Sequence, residues 1–147
     1  MKKQYISNTG IAFLVTGVLL FIYTWWKDDH MNGLDINLSN TYIVVGYAPL
    51  GIAFSLVLFV FGGVYFLFQG IKKPLHNGLA YVHSILSFIG LGLFFRIHLR
   101  PSRRISGTPN LEAVSFTITL GLGIFCIGIL LLLINIIHTL VRKKRSE

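Results

Sequence analysis

Four long apolar stretches constrain the fold of this 147-residue chain more than any other feature. They cover about residues 10–26, 42–68, 79–95 and 113–141, and none contains an Asp, Glu, Lys or Arg. A helix needs about 20 apolar residues to cross the hydrocarbon core of a bilayer. Only 12% of the residues are charged, whereas a soluble domain carries about 25%. The sequence therefore predicts an all-α integral membrane four-helix bundle, a single membrane domain over residues 1–147.

Local features indicate how two of these spans begin or end. Span one follows Lys2 and Lys3, as a signal peptide would, but it ends in Trp25 and Trp26 rather than in small residues suited to cleavage. We therefore expect a retained helix with an aromatic belt. In span two, Pro49 lacks a backbone N–H, which predicts a kink or a late helix start. Small residues that allow close packing of membrane helices are Gly62, Gly63, Gly121, Gly123, Cys126 and Gly128.

The net charge of +8 is spread over short clusters between the apolar spans. This pattern orients a membrane protein and argues against nucleic-acid binding. If both termini are cytoplasmic, eight of the 13 Lys and Arg residues face the cytoplasm and five face outward. Because cytoplasmic loops carry more Lys and Arg, the sequence predicts an inner (cytoplasmic) membrane protein with both termini cytoplasmic. Four outward-facing arginines predict an anionic partner on the outer side: Arg96, Arg100, Arg103 and Arg104.

Two segments, taken together and in this order, resemble a known family. The first is LDINLSNTYIVVGY, from Leu34 to Tyr47, and the second is RRISGTP, from Arg103 to Pro109, followed by a long glycine-bearing apolar stretch. They resemble helices nine to twelve of subunit I of the haem-copper cytochrome c and quinol oxidases. In that family an extended LD loop leads into a DTYxVVxHxH motif at the start of a helix, and an arginine pair follows one helix later. The resemblance implies a membrane protein of the respiratory chain.

The chain departs from this family where the family binds its cofactors. Tyr47 and Pro49 stand at the positions of two haem-ligating histidines, and Ser39-Asn40 replaces a His-Asp pair. The resemblance also implies copper ligands on helices that this chain lacks. We therefore expect no copper, no catalytic residue and no oxygen reduction by this chain alone. In the family the arginine pair salt-bridges haem propionates, which makes Arg103 and Arg104 candidates for contact with a propionate or another anion.

Histidines near the ends of spans suggest other sites. His83 lies near the start of span three and His138 near the end of span four, so antiparallel helices would place them at similar depth. Two such imidazoles could ligate a b-type haem, although hydrogen bonding near the interface is the more ordinary interpretation. His30 and His98 accompany aspartates on the outer side, but their spacing is typical of solvated loops, and the sequence predicts no metal site. No cofactor is the primary expectation, with haem as the alternative.

The sequence favours a non-catalytic protein related to oxidase subunit I. It would be an accessory or assembly component of a respiratory oxidase, with the lipid bilayer and other membrane subunits of the complex as its partners. One alternative is an electron-transfer membrane protein that binds haem through His83 and His138, or a quinone under the outer arginines. Another is one piece of a split oxidase subunit, against which the missing histidines of span two count.

Overall fold

The computed structural model describes residues 2–26, 33–38, 41–73, 75–96 and 111–142. The elements in chain order are α1 (Lys2–Trp26), β1 (Gly33–Leu38), β2 (Thr41–Gly46), α2 (Tyr47–Gly70), α3 (Asn77–Arg96) and α4 (Leu111–Arg142). Within these ranges, four helical segments are long and apolar enough to cross a membrane: Asn8–Trp26, Ala48–Gly70, Asn77–Phe95 and Phe116–Val141. The predicted fold class, an all-α membrane protein with four spanning helices, is confirmed, and the chain is a multi-pass membrane protein.

The start of span two differs from the predicted position. Residues 41–46 form β2, which pairs antiparallel with β1 in a register that places Leu38 opposite Thr41 and Gly33 opposite Gly46. The β-branched run Ile43-Val44-Val45 favours such a strand. Helix α2 therefore begins at Tyr47 rather than near residue 42, and the predicted late start is confirmed. Pro49 is the third residue of α2, in the first turn, where a missing N–H leaves no helical hydrogen bond unmade.

The chain forms two compact units, residues 1–73 and 74–147. The first contains the hairpin of α1 with α2, and the second contains the hairpin of α3 with α4. Both pairs are antiparallel, since Gly10 lies against Tyr65 whereas Gly51 lies against Thr24, and Gly90 lies against Phe125 whereas Gly128 lies against Ser87. That the two units together form the single domain expected from the sequence stays a prediction.

Buried positions in the first hairpin alternate at spacings of three and four residues. On α2 they include Gly51, Ser55, Leu58, Gly62 and Tyr65, and on α1 they include Gly10, Phe13 and Gly17, followed by Thr24 after one full heptad. This is the heptad spacing with which antiparallel or parallel helices interlock their side chains. The Phe13 ring packs edge-on against Phe61 and stacks on Tyr65, with centroids 5.5 and 5.8 Å apart. Small residues therefore set the distance between the helices, and aromatic rings fill the space between them.

Helix α2 ends in a Schellman motif. The Lys73 amide donates to the Phe68 carbonyl and the Lys72 amide donates to the Gln69 carbonyl, which are the two bonds that define this cap. Lys72 has a positive φ of 56°, in the position where glycine is usual. Gly70 lies two residues before Lys72, so the left-handed position of the cap is occupied by a lysine and not by the nearby glycine.

The second hairpin has the same heptad spacing, and its two backbones approach each other more closely than those of the first. Its buried positions include Ala80, His83, Ser87, Gly90 and Phe94 on α3, and Gly121, Phe125, Gly128, Leu132 and Asn135 on α4. A Cβ atom built on Gly90 would lie 2.7 Å from both the Gly121 carbonyl oxygen and the Phe125 nitrogen. The two backbones are therefore in direct contact at Gly90 and Gly121, and no side chain separates them there.

Candidate functional site

Polar side chains are buried at the interface between α3 and α4. Among the residues whose side chains the structure describes, the buried polar ones are Thr24, Ser55, His83, Ser87 and Asn135. The last three all belong to the second hairpin, and each has 0% exposure. A polar group inside a membrane needs a partner within the protein, because the surrounding hydrocarbon offers none. This interface is therefore the candidate functional site.

Asn135 joins the two helices through both the oxygen and the nitrogen of its side-chain amide. Its Oδ1 accepts a hydrogen bond of 2.8 Å from the His76 backbone N–H. Its Nδ2 donates a bond of 3.1 Å to the His76 carbonyl oxygen. His76 directly precedes the first residue of α3, so this reciprocal pair satisfies backbone groups at the end of one helix from the side of the other. The contact fixes the start of α3 against the last third of α4.

His76 and His138 lie next to each other at this same end of the hairpin. Their ring centroids are 6.0 Å apart and their planes meet at 85°, an edge-to-face arrangement. Both side chains are exposed. The His76 Nδ1 accepts a long hydrogen bond of 3.5 Å from the Leu79 amide, in the position of a helix N-cap. Two imidazoles thus meet where α3 begins and α4 approaches its end.

His83 and Ser87 face α4 at a deeper level. A Cβ atom built on Gly128 would lie 2.8 Å from the Ser87 Oγ and 3.5 Å from the His83 carbonyl oxygen. Ser55 and Ser84 each donate to the carbonyl four residues earlier, but the buried Ser87 Oγ has no hydrogen-bond partner within the described part of the chain. Glycine at 128 is what makes room for this polar face of α3.

The structure does not bring His83 and His138 together as the haem interpretation requires. His83 lies opposite Gly128, which is ten residues before His138. At a rise of about 1.5 Å per residue this is an offset of about 15 Å along the helix. The fully buried His83 ring also lies where α3 and α4 pack closely. The partner of the His138 ring is His76, and the structure gives no support to a haem shared by His83 and His138.

Other residues singled out by the sequence lie outside the described residues. These are Arg103 and Arg104, the neighbouring Arg100, and the outer residues Asp28, Asp29, His30 and His98. Their proposed contacts with a propionate, another anion or a metal stay predictions. Within the described ranges, no group of three or more His, Cys, Asp or Glu side chains is arranged to hold a metal ion.

The packing residues were predicted in part. Gly62, Gly121 and Gly128 lie at close helix contacts as expected, but Gly63 and Gly123 have no atom within 4 Å of an added Cβ, and Cys126 is exposed. Sequence reasoning missed the contacts of Asn135. A spacing of seven was the available signal, because Gly121, Gly128 and Asn135 recur at that interval on one face of α4.

Comparison with family models, with curated proteins and with solved structures finds no match.

Proposed function

We propose that this chain is a non-catalytic protein of the inner (cytoplasmic) membrane that associates with a respiratory oxidase, as an accessory or assembly component. Its partners would be the bilayer and the membrane subunits of that complex. The proposal rests on the residues of the chain, in particular on the combination of a retained oxidase-like motif with altered cofactor positions.

The proposal depends on the two residues that stand where the family has its haem-ligating histidines. The Thr41-Tyr42-x-Val44-Val45 segment and the later arginine pair resemble oxidase subunit I. At the ligand positions, Tyr47 is the first residue of α2 and Pro49 is the third. A phenol and a pyrrolidine ring offer no imidazole nitrogen to an iron atom. A protein that has these oxidase-like segments and lacks the haem ligands is suited to contact an oxidase rather than to act as one.

The outward surfaces of the hairpins favour a role in contacts within the membrane. Large apolar side chains of the described helices are exposed on each hairpin, among them Leu19, Val60, Phe116 and Ile137, at 61%, 61%, 67% and 61% exposure. Trp26, at 88% exposure, ends the first span where an interfacial aromatic residue is favoured. Such surfaces suit contact with lipid or with helices of another subunit.

Affinity purification from native membranes tests this function. The tagged chain should co-purify with an oxidase whose haem bands appear in the optical spectrum of the eluate. After separation from that complex, the chain itself should show no Soret band. A Soret band that stays with the isolated chain would favour the electron-transfer alternative. An eluate without oxidase haem would contradict the proposed association.

The arginine pair provides a sharper test of the contact. We expect Arg103 and Arg104 to bind an anionic group of the partner, with charge-assisted contacts worth about 1.5–3 kcal/mol each. Replacing both with glutamine should greatly reduce co-purification at unchanged abundance. The matched control replaces Arg96 and Arg100 with glutamine, which removes two positive charges from the neighbouring part of the chain. Equal losses in both double variants would show that only the total charge matters, not the pair.

Labelling determines the proposed orientation. Cysteines introduced one at a time in the 27–40 and 97–110 segments, in a Cys126→Ser background, should react with an impermeant maleimide in intact cells. A cysteine placed next to Lys144 should react only after lysis. The opposite pattern would place both termini outside.

A further inference from the structure

We propose that His76 and His138 form a two-imidazole binding site for a divalent transition metal ion such as Zn²⁺ or Cu²⁺, at the end of the hairpin of α3 and α4. The site is independent of the oxidase association proposed above, since neither histidine belongs to an oxidase-like motif.

The separation of the two rings suits a shared ion. With metal–nitrogen bonds of about 2.1 Å, two imidazoles on one ion have ring centroids about 5–6.5 Å apart. The observed centroid distance is 6.0 Å. Imidazole nitrogen is a ligand that Zn²⁺, Cu²⁺ and Ni²⁺ prefer. Small changes of side-chain torsion can direct a nitrogen of each ring toward a common point, because both side chains are exposed.

The hydrogen bond that the His76 ring accepts is weak enough to be lost when an ion binds. Its Nδ1 accepts from the Leu79 amide at 3.5 Å, so in the neutral ring the proton lies on Nε2. Binding through Nε2 puts the ring proton on Nδ1 and ends the bond from Leu79. That bond is at the long limit for a hydrogen bond, so losing it costs little.

Asn135 holds the two ligands in position. Its amide fixes the His76 backbone through bonds of 2.8 and 3.1 Å. His138 follows Asn135 by three residues on α4, a spacing that places both on the same face of the helix. The two ligand-bearing backbones are thus joined by one fully buried side chain. A site whose ligands are held by such a support needs little rearrangement on binding.

The location gives an ion access from water. His76 directly precedes the α3 span, and His138 lies three residues before the end of the α4 span at Val141, so both reach the level of the lipid headgroups. The C-terminal end of α4 favours positive charge. Because the described residues offer no third His, Cys, Asp or Glu ligand, water would complete the coordination shell.

Metal titration of the full chain in detergent tests the site, with an affinity tag that contains no histidine. Calorimetry with Zn²⁺ should give one ion bound per chain, and His76→Gln or His138→Gln should each weaken binding at least tenfold. A His30→Gln/His98→Gln double variant, which removes histidines elsewhere, should bind as the parent does. Helicity measured by circular dichroism verifies that each variant is folded.

Electron paramagnetic resonance with Cu²⁺ gives a second, independent measurement. The spectrum of the parent should show coupling to two imidazole nitrogens, and that of either single variant to one. Binding that is unchanged in both single variants would overturn the proposal, and so would a parent chain that binds no ion. Loss of binding only in the control variant would place the ion at the His30 and His98 segments and would equally overturn it.

Discussion

Alanine at position 90 should push α3 and α4 apart. The added Cβ would lie 2.7 Å from the Gly121 carbonyl oxygen, 2.7 Å from the Phe125 nitrogen and 3.0 Å from the Phe125 Cα. All three are backbone atoms, so no rotation of a side chain relieves the contact. Gly92, on the same helix, has no atom within 4 Å of an added Cβ. Gly92→Ala is therefore the matched control.

The difference between these two variants measures the steric contact alone. Alanine is favoured over glycine inside a helix by about 1 kcal/mol, and this gain is common to both substitutions. Overpacking a close contact costs about 1–3 kcal/mol, and the rigid backbone on the α4 side puts this case in the upper part of that range. We expect Gly90→Ala to be less stable than Gly92→Ala by about 2–3 kcal/mol. The unfolding equilibrium should change by about 30- to 150-fold.

The separation of the two helices can be followed by spin labels. The exposed Cys126 on α4 and a cysteine introduced at the exposed Ile89 on α3 carry the labels outside the contact. Pulsed dipolar spectroscopy then gives the fraction of paired helices as sodium dodecyl sulfate is added to mixed micelles. Gly90→Ala should lose the paired distance at a lower mole fraction of the denaturant than Gly92→Ala does. Equal midpoints, or a higher midpoint for Gly90→Ala, would refute direct backbone contact at this position.

Three further predictions use the same denaturation assay or amide exchange. Gly62→Ala should be less stable than Gly63→Ala, by about 1–2 kcal/mol, because a Cβ at Gly62 meets a leucine side chain at 2.6 Å whereas one at Gly63 meets nothing. Lys72→Gly should raise stability by about 1 kcal/mol, because the lysine has a φ of 56°; no gain would argue against the left-handed cap. Asn135→Ala should cost about 1–3 kcal/mol and accelerate exchange of the His76 amide, and unchanged exchange would exclude the bond to Asn135.

The sequence by itself determined which segments cross the membrane. Hydrocarbon cannot hydrogen-bond to a backbone, so an apolar segment that crosses it has to make its backbone hydrogen bonds within itself, as a helix does. The late start of α2 was also predictable, because Pro49 restricts where that helix begins. The hairpin of β1 with β2 was missed, since the β-branched residues 43–45 were read as a continuation of the apolar span.

Only the tertiary structure decided which helix faces meet. Lipid and protein interior are both apolar, so hydropathy does not distinguish Ile89, which is exposed, from the adjacent Gly90, which touches α4. The candidate metal site depends even more on which helix faces meet. His76 and Asn135 are 59 positions apart and meet only because α3 and α4 pair antiparallel in one register. That register is set by the packing of glycine against backbone, a short-range steric fit that no single-residue property reports.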